Sequence, residues 1–206
     1  MMRFLLISFS SLFAGCTSAY QSLVPISWDS NCVKTFKPVF KAELYKTRVD
    51  VMNKQISGLL FFKTGPDSSL RVVFMNEAGI TFFDFEFLSD GNFKTHHVIH
   101  SLDKKPVIQT LRQDIELIMM RKAGKEKPIS YSRSGEVFNA FPSRNETDYI
   151  VTNKDCTSLL RLEKGTRRKK KTEVLLFNSG HPAPDSIYVR HFNFNMTISL
   201  KKLARE

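Results

Sequence analysis

Between Gln55 and Ile99 apolar and polar residues alternate in four successive runs. Ile56, Gly58, Leu60 and Phe62 share one face of the first, and Leu59 and Phe61 make its second face partly apolar too. Leu70, Val72 and Phe74 share a face of the second while Arg71 takes the other. Phe83, Phe85 and Phe87 oppose Asp84 and Glu86, and Phe93, Thr95, His97 and Ile99 continue the phase. A two-residue period of this length predicts an antiparallel sheet wetted on one side. The links carry turn chemistry: Gly65-Pro66-Asp67, Asn76-Glu77-Ala78-Gly79 and Asp90-Gly91. The period then changes. From Lys104 to Arg121 the apolar positions are Val107, Ile108, Leu111, Ile115, Ile118 and Met119, the 3.6-residue spacing of a helix lying on a core. Asp103 is the expected N-cap, and Pro106 falls in the first turn, where its missing N–H costs little.

Further strands are expected on both sides. Phe40 to Val51 precedes the meander, with Tyr45, Thr47, Val49 and Val51 on one face. After the helix come Ile129–Arg133, Glu136–Phe141, Asp148–Asn153, Ser158–Glu163, Thr172–Phe177 and a long run, Ile187–Leu200, in which Phe192, Phe194, Met196, Ile198 and Leu200 share a face. His181-Pro182-Ala183-Pro184 is a loop, since proline cannot join a central ladder. The expectation is a mainly β (α+β) fold: an open antiparallel half-barrel of ten or eleven strands, with one helix lidding its concave face.

The first fifteen residues read differently. Arg3 supplies a positive start, Phe4 to Phe13 an apolar stretch too short to span a bilayer, and Ala14-Gly15 small residues before Cys16. Phe13-Ala14-Gly15-Cys16 resembles the lipobox of bacterial lipoproteins, with phenylalanine where leucine is usual. That resemblance implies cleavage before Cys16 and fatty acylation of it, palmitate included, which anchors the chain firmly to a membrane. Thr17 follows the cysteine where an aspartate would signal inner-membrane retention, so the resemblance implies the periplasmic face of an outer membrane. Residues 1–15 are then a signal peptide, 16–35 an acylated N-terminus and tether containing Pro25, and 36–203 a single half-barrel domain.

Removing fifteen of 206 residues leaves 191, enough for one substantial core. Composition is ordinarily globular, with 42% hydrophobic and 25% charged residues, but the 18 phenylalanines concentrate on sheet faces, where a core or a ligand cavity would use them. With Cys16 acylated, Cys32 and Cys156 remain as an even pair in an oxidising compartment: a disulfide, or two separate thiols. The net charge of +11 would suit nucleic acid, but an exported lipoprotein does not meet it. The same reading empties the two glycosylation-type sequons, Asn145-Glu146-Thr147 and Asn195-Met196-Thr197, of meaning.

The strand pattern, with the turn Asn76-Glu77-Ala78-Gly79 between two apolar strands, resembles the LolA/LolB-like superfamily of bacterial lipoprotein carriers and receptors. The resemblance covers nearly the whole mature chain. It implies an eleven-stranded half-barrel whose helix-lidded concavity binds lipid or lipoprotein acyl chains. In the lipidated receptor branch the turn reads Asn-Pro-Leu-Gly and its leucine projects into solvent; here Glu77 and Ala78 stand in those two places.

On this reading the concavity is lined by Leu60, Phe62, Val72, Phe74, Phe83, Phe85, Phe87, Leu111, Ile115, Phe192 and Phe194. Phenylalanine suits variable chains because it offers broad area with little directional demand. The bland alternative is that the same rings simply pack on Leu111 and Ile115. Arg167-Arg168-Lys169-Lys170-Lys171 lies between two strands and is expected at a solvated hairpin tip, able to touch anionic headgroups or an acidic partner. His96, His97 and His100 do not present a metal set, because adjacent strand residues face opposite sides; His97 is expected on the apolar phase, partly buried. No nucleophile elbow, phosphate-binding glycine loop or His-Glu-x-x-His is present, so no catalytic residue, metal or cofactor is expected. Three functions follow: a monomeric acyl-chain-binding lipoprotein; a structural or assembly lipoprotein docking a partner with its trough self-filled; or an envelope hydrolase, which requires a titratable pair in a cleft.

Overall fold

The computed structural model describes residues 19–204. Its elements in chain order are β1 (Val24–Pro25), a 3-10 helix (Ser30–Phe36), β2 (Ala42–Val51), β3 (Lys54–Thr64), β4 (Leu70–Met75), β5 (Thr81–Phe87), β6 (Phe93–Val98) and α1 (Lys105–Ile118). Beyond α1 come β7 (Ile129–Arg133), β8 (Glu136–Pro142), β9 (Thr147–Asn153), β10 (Leu159–Gly165), β11 (Lys170–Phe177), β12 (Ser186–His191) and β13 (Met196–Lys202). All thirteen strands join one sheet in the order β1-β7-β8-β9-β10-β11-β12-β13-β2-β3-β4-β5-β6, every pairing antiparallel. The two ends, β1 and β6, do not pair with each other, so the sheet is open.

The count exceeds the expected ten or eleven for two reasons. The run Ile187–Leu200 is two strands, because residues 192–195 turn the chain between β12 and β13. The second addition is β1, in the segment expected to be a tether. That segment belongs to the fold from Ala19 onward. Val24 and Pro25 pair with Ser132 and Tyr131 of β7, and Pro25 is tolerated because β1 is the sheet's edge. The Tyr20 ring stacks on Tyr149 at 4.3 Å between centroids, and its hydroxyl donates to Glu163 Oε2 at 2.8 Å. Cys32, in the 3-10 helix, is disulfide-bonded to Cys156, closing 124 residues of sequence separation.

The sheet bends around α1. Asp114 meets His191 at the end of β12 at 2.9 Å, while Arg112, two residues earlier, lies over the Phe93 ring of β6 at 4.9 Å. Six interstrand steps separate β12 from β6, roughly 29 Å on a flat sheet, against a helix about 10–12 Å across. Only a curved sheet brings both to one helix. The inner face holds the main core, with side chains of β2–β5, α1 and β8–β13 in one cluster.

Two local expectations shift. The turn after β6 consumes Asp103, whose N–H bonds to the carbonyls of Ile99 and His100, so α1 is capped by Lys104 without a side-chain bond. It also ends at Ile118, three residues before Arg121, as Met120 enters the left-handed region at φ 47°. In β6 a bulge changes the phase: Thr95 pairs with Phe85 but His97 pairs with Asp84, leaving His96 as the extra residue. His97 is therefore exposed on the solvent side, and Val98 returns to the inner face opposite Phe83.

Candidate functional site

Between α1 and the inner face of β2–β5 and β13 lies a cavity of about 410 Å³. That size falls within the roughly 300–1,000 Å³ of small-molecule sites. The helix contributes Val107, Leu111, Ile115 and Ile118; the sheet contributes Val49, Val51, Ile56, Leu60, Phe74, Phe83, Met196, Ile198 and Leu200. Among the described residues, the only polar side chains on its walls are Thr47, Thr110 and Asp114. Thr47 and Gly58 face each other in register, so the sheet surface is low there. Gly58 is required there: a Cβ would stand 2.2 Å from the Met75 carbonyl oxygen. Few polar partners, small residues below and branched ones around make a dry space shaped for hydrocarbon. Two other concavities, of about 440 and 770 Å³, are rimmed by charged side chains such as Lys34 and Lys125 or Lys46 and Arg48. Neither has a comparable apolar lining.

Six of the expected lining residues meet here: Leu60, Phe74, Phe83, Leu111, Ile115 and Phe194. Phe62, Val72, Phe85 and Phe87 do not. They are fully packed in the core beside the cavity, where Phe40 stacks on Phe62 at 4.4 Å and Phe93 meets the Phe85 and Phe87 rings. Phe40 and Phe93 fill that end of the trough. Phe192 is also displaced. It stands 44% exposed on the 192–195 turn, with Lys170 Nζ and the Arg190 guanidinium 5.1 and 5.0 Å from its ring. Walls that the sequence reading did not assign to the site are Thr47, Val49, Val51 and Ile56, with Met196, Ile198 and Leu200. Their alternation was visible in β2, β3 and β13; that these strands lie opposite α1 was not.

A buried polar relay borders the cavity. His191 Nε2 meets Asp114 Oδ2 at 2.9 Å, and His191 Nδ1 meets Thr172 Oγ1 at 3.3 Å. The contacts fit a ring whose Nε2–H donates to the carboxylate while Nδ1 accepts from the hydroxyl. Burial pushes the Asp114 carboxyl above its ordinary range; the bond from His191 and the charge of Lys164 pull it partway back. Asp114 touches the cavity, but His191 and Thr172 are not on its walls. Nearby, Lys164 pairs with Asp148, which also takes Lys122 at 2.9 Å.

The basic run is divided by the fold. Lys170 bonds Glu163 and Glu173, and Lys171 bonds Glu146, so both are occupied within the protein. Arg167, Arg168 and Lys169 remain exposed at the β10–β11 tip. Of the histidines, His96 pairs with Glu86 at 2.9 Å and His97 contacts the Thr81 carbonyl at 3.2 Å. The Asn76–Gly79 turn is closed by Asn76, whose Oδ1 accepts from Ile80 N–H at 2.8 Å; Ala78 is exposed, as is Ile80. Cys16 and the signal-like segment lie outside the described residues. No helix among the described residues is long and apolar enough to cross a membrane.

No family model matches the chain, and no curated protein sequence does. Among solved structures it is similar to a DUF1329 family protein from Desulfovibrio piger, at a TM-score of 0.44 and 8% identity, over 84% of this chain and 88% of that one. It is also similar to a "putative outer membrane lipoprotein-sorting protein domain" from Vibrio parahaemolyticus, at a TM-score of 0.44 and 7% identity, over 83% of this chain and 87% of that one.

Proposed function

We propose that this chain is an envelope lipoprotein whose cavity holds the acyl chain of a lipid or of another lipoprotein. The observation that carries the reading is the dry space under α1, walled by aliphatic and phenylalanine side chains on every element that reaches it. In this reading α1 is the lid of a half-barrel, held at one side by Asp114–His191 and at the other by Arg112 on Phe93. Each methylene transferred from water into such a space contributes about 0.8 kcal/mol, so a partly inserted chain suffices for retention. Specificity for a headgroup is not built into the walls; the guest would be selected by its hydrocarbon. Anchoring through Cys16 to the periplasmic face of an outer membrane completes the proposal, and a part in lipoprotein localisation follows from holding acyl chains there. We assign the cavity no catalysis: Asp114 and His191 are the titratable pair that a hydrolase would require, but Thr172 stands behind the imidazole, 3% exposed and off the cavity wall.

The test is to purify the chain from Ala19 onward without detergent, extract it with solvent and identify released lipids by mass spectrometry. Native lipid is expected at a fixed ratio to protein. Leu111→Glu puts a charge in the dry space and should abolish it; Val49→Phe fills the space while keeping the fold and should reduce it severalfold. Native lipid that survives both changes would place the site elsewhere. A parent protein that carries none and takes up no fluorescent fatty acid leaves the structural or assembly reading in its place.

A further inference from the structure

Three backbone hydrogen bonds tie the start of the described chain to the cavity mouth. Ala19 N–H donates to the Arg168 carbonyl at 3.0 Å, at the β10–β11 tip. Phe192 N–H donates to the Lys171 carbonyl at 2.8 Å, joining that tip to the 192–195 turn. Met52 N–H donates to the Asn195 carbonyl at 3.1 Å, joining the turn to the β2–β3 hairpin. Met52 and Phe194 are themselves walls of the cavity. The N-terminal exit, the basic tip and the mouth therefore form one continuous rim.

The chemistry of that rim is specific. Met52 is 69% exposed and Phe192 44%, two large apolar side chains held outward at a fixed place. Phe192 is flanked by Lys170 and Arg190, and Arg167, Arg168 and Lys169 stand beyond it with no ion pair among the described residues. Apolar tips set among cations match a bilayer interface, where methylenes lie just beneath anionic phosphates. An acidic protein would satisfy the charges but would give Met52 and Phe192 no reason to be presented together. Taking the cavity as an acyl-chain site, we propose that this rim docks on an anionic phospholipid surface. Met52 and Phe192 enter the headgroup layer, Arg167, Arg168 and Lys169 pair with phosphates, and the cavity opens toward the lipid. Sequence distance agrees with the orientation: Cys16 is three residues from Ala19, at most about 11 Å of extended chain, so an acyl anchor there holds the basic tip near the headgroups.

Every described element lies between Ala19 and Ala204, so the chain starting at Ala19 keeps the whole sheet, and vesicle co-sedimentation with it tests the proposal without the anchor. At low ionic strength it should bind vesicles of phosphatidylcholine mixed with phosphatidylglycerol and ignore phosphatidylcholine alone. Arg167→Ser/Arg168→Ser/Lys169→Ser should weaken binding roughly a hundredfold, about fivefold per charge, and added salt should mimic it. Phe192→Ser should weaken binding severalfold at any salt concentration. Lys41→Ser/Lys63→Ser, at the far end of β2 and β3 from Met52, should leave it unchanged. Equal binding to both vesicles, or equal losses in the two charge variants, overturns the proposal. So does binding that polyglutamate captures but phosphatidylglycerol does not, which would make the partner an acidic protein. Lipid extraction of the same variants separates the two readings. Vesicle binding lost with cavity lipid retained sinks the rim alone; cavity lipid absent with vesicle binding intact sinks the cavity alone.

Discussion

The two halves of the sheet solve the burial problem differently. In β2–β6 one face is apolar and covered by α1, while the other is wet: β4 reads buried, exposed, buried, and Arg71 pairs with Asp84 in solvent at 2.7 Å. In β8–β10 both faces are buried. Residues Val137 to Phe141 of β8 are consecutively inside, because the segment from Ala19 to Pro25 lays Tyr20 over Phe138 and Tyr149 on the outer side. Beneath that layer Glu163, 2% exposed, takes bonds from Tyr20, Arg161 and Lys170. The double-covered half is filled on both sides; the single-covered half is where the cavity survives. A sheet can thus be rigid on one flank and vacant on the other, with the vacancy set by what lies over it.

That contrast can be broken at the seam, where Asp114 of α1 meets His191 of β12. His191→Ala leaves a buried carboxylate without its partner and should cost about 3–5 kcal/mol, lowering Tm by roughly 10–15 °C. Adding Asp114→Asn to it should restore much of the loss in a thermal melt. The same pair carries a pH signature. Because burial raises the folded pKa of Asp114, its contribution is full below the unfolded value near about 4 and is lost as pH rises through the folded value. Asp114→Asn alone should therefore gain stability over the parent as pH rises, and melts across the acid-to-neutral range would show the two curves diverging. Curves that stay parallel would mean Asp114 is not desolvated.

Cys32→Ser tests how firmly the N-terminal segment is fastened to the sheet. Losing a link across 124 residues should cost about 3–4 kcal/mol. Hydrogen exchange should quicken in residues 19–36 and β9–β10 before it does in β2–β5. Tyr20→Phe is milder, about 1–2 kcal/mol, for one lost donor to buried Glu163. It should leave any cavity lipid in place, and lost lipid would show that the halves are coupled. Arg71→Ala should be smallest, within about 0.5 kcal/mol by denaturant titration, since the guanidinium is half exposed on the uncovered face. A larger cost would mean that this face, too, is part of the packed structure.

How much of this was legible in sequence depends on the range of the interaction. The phase of Leu60, Phe74 and Phe83, and the stripe Leu111–Ile115, could be read directly and do meet at the cavity. The same alternation could not separate Phe83 from Phe85, neighbours on one face and one strand. Phe85 is sealed by Phe93, which pairs with Phe87 in the ladder and reaches the Phe85 ring diagonally at 5.1 Å. Lys170 and Lys171 were indistinguishable from Arg168 in a run of charges until the carboxylates of Glu163, Glu173 and Glu146 claimed them.

By itself the sequence determined most of the strands, the inward side of most of them and the one long helix, because side-chain direction follows from backbone periods of two and 3.6 residues. Only the tertiary structure decided that residues 19–25 form a second layer, that Cys32 meets Cys156, that Asp114 finds His191, and which rings fill the trough. Those outcomes depend on sheet curvature and on side chains far apart in sequence arriving at one place. Vacant volume is a property of that meeting, and no single segment encodes it.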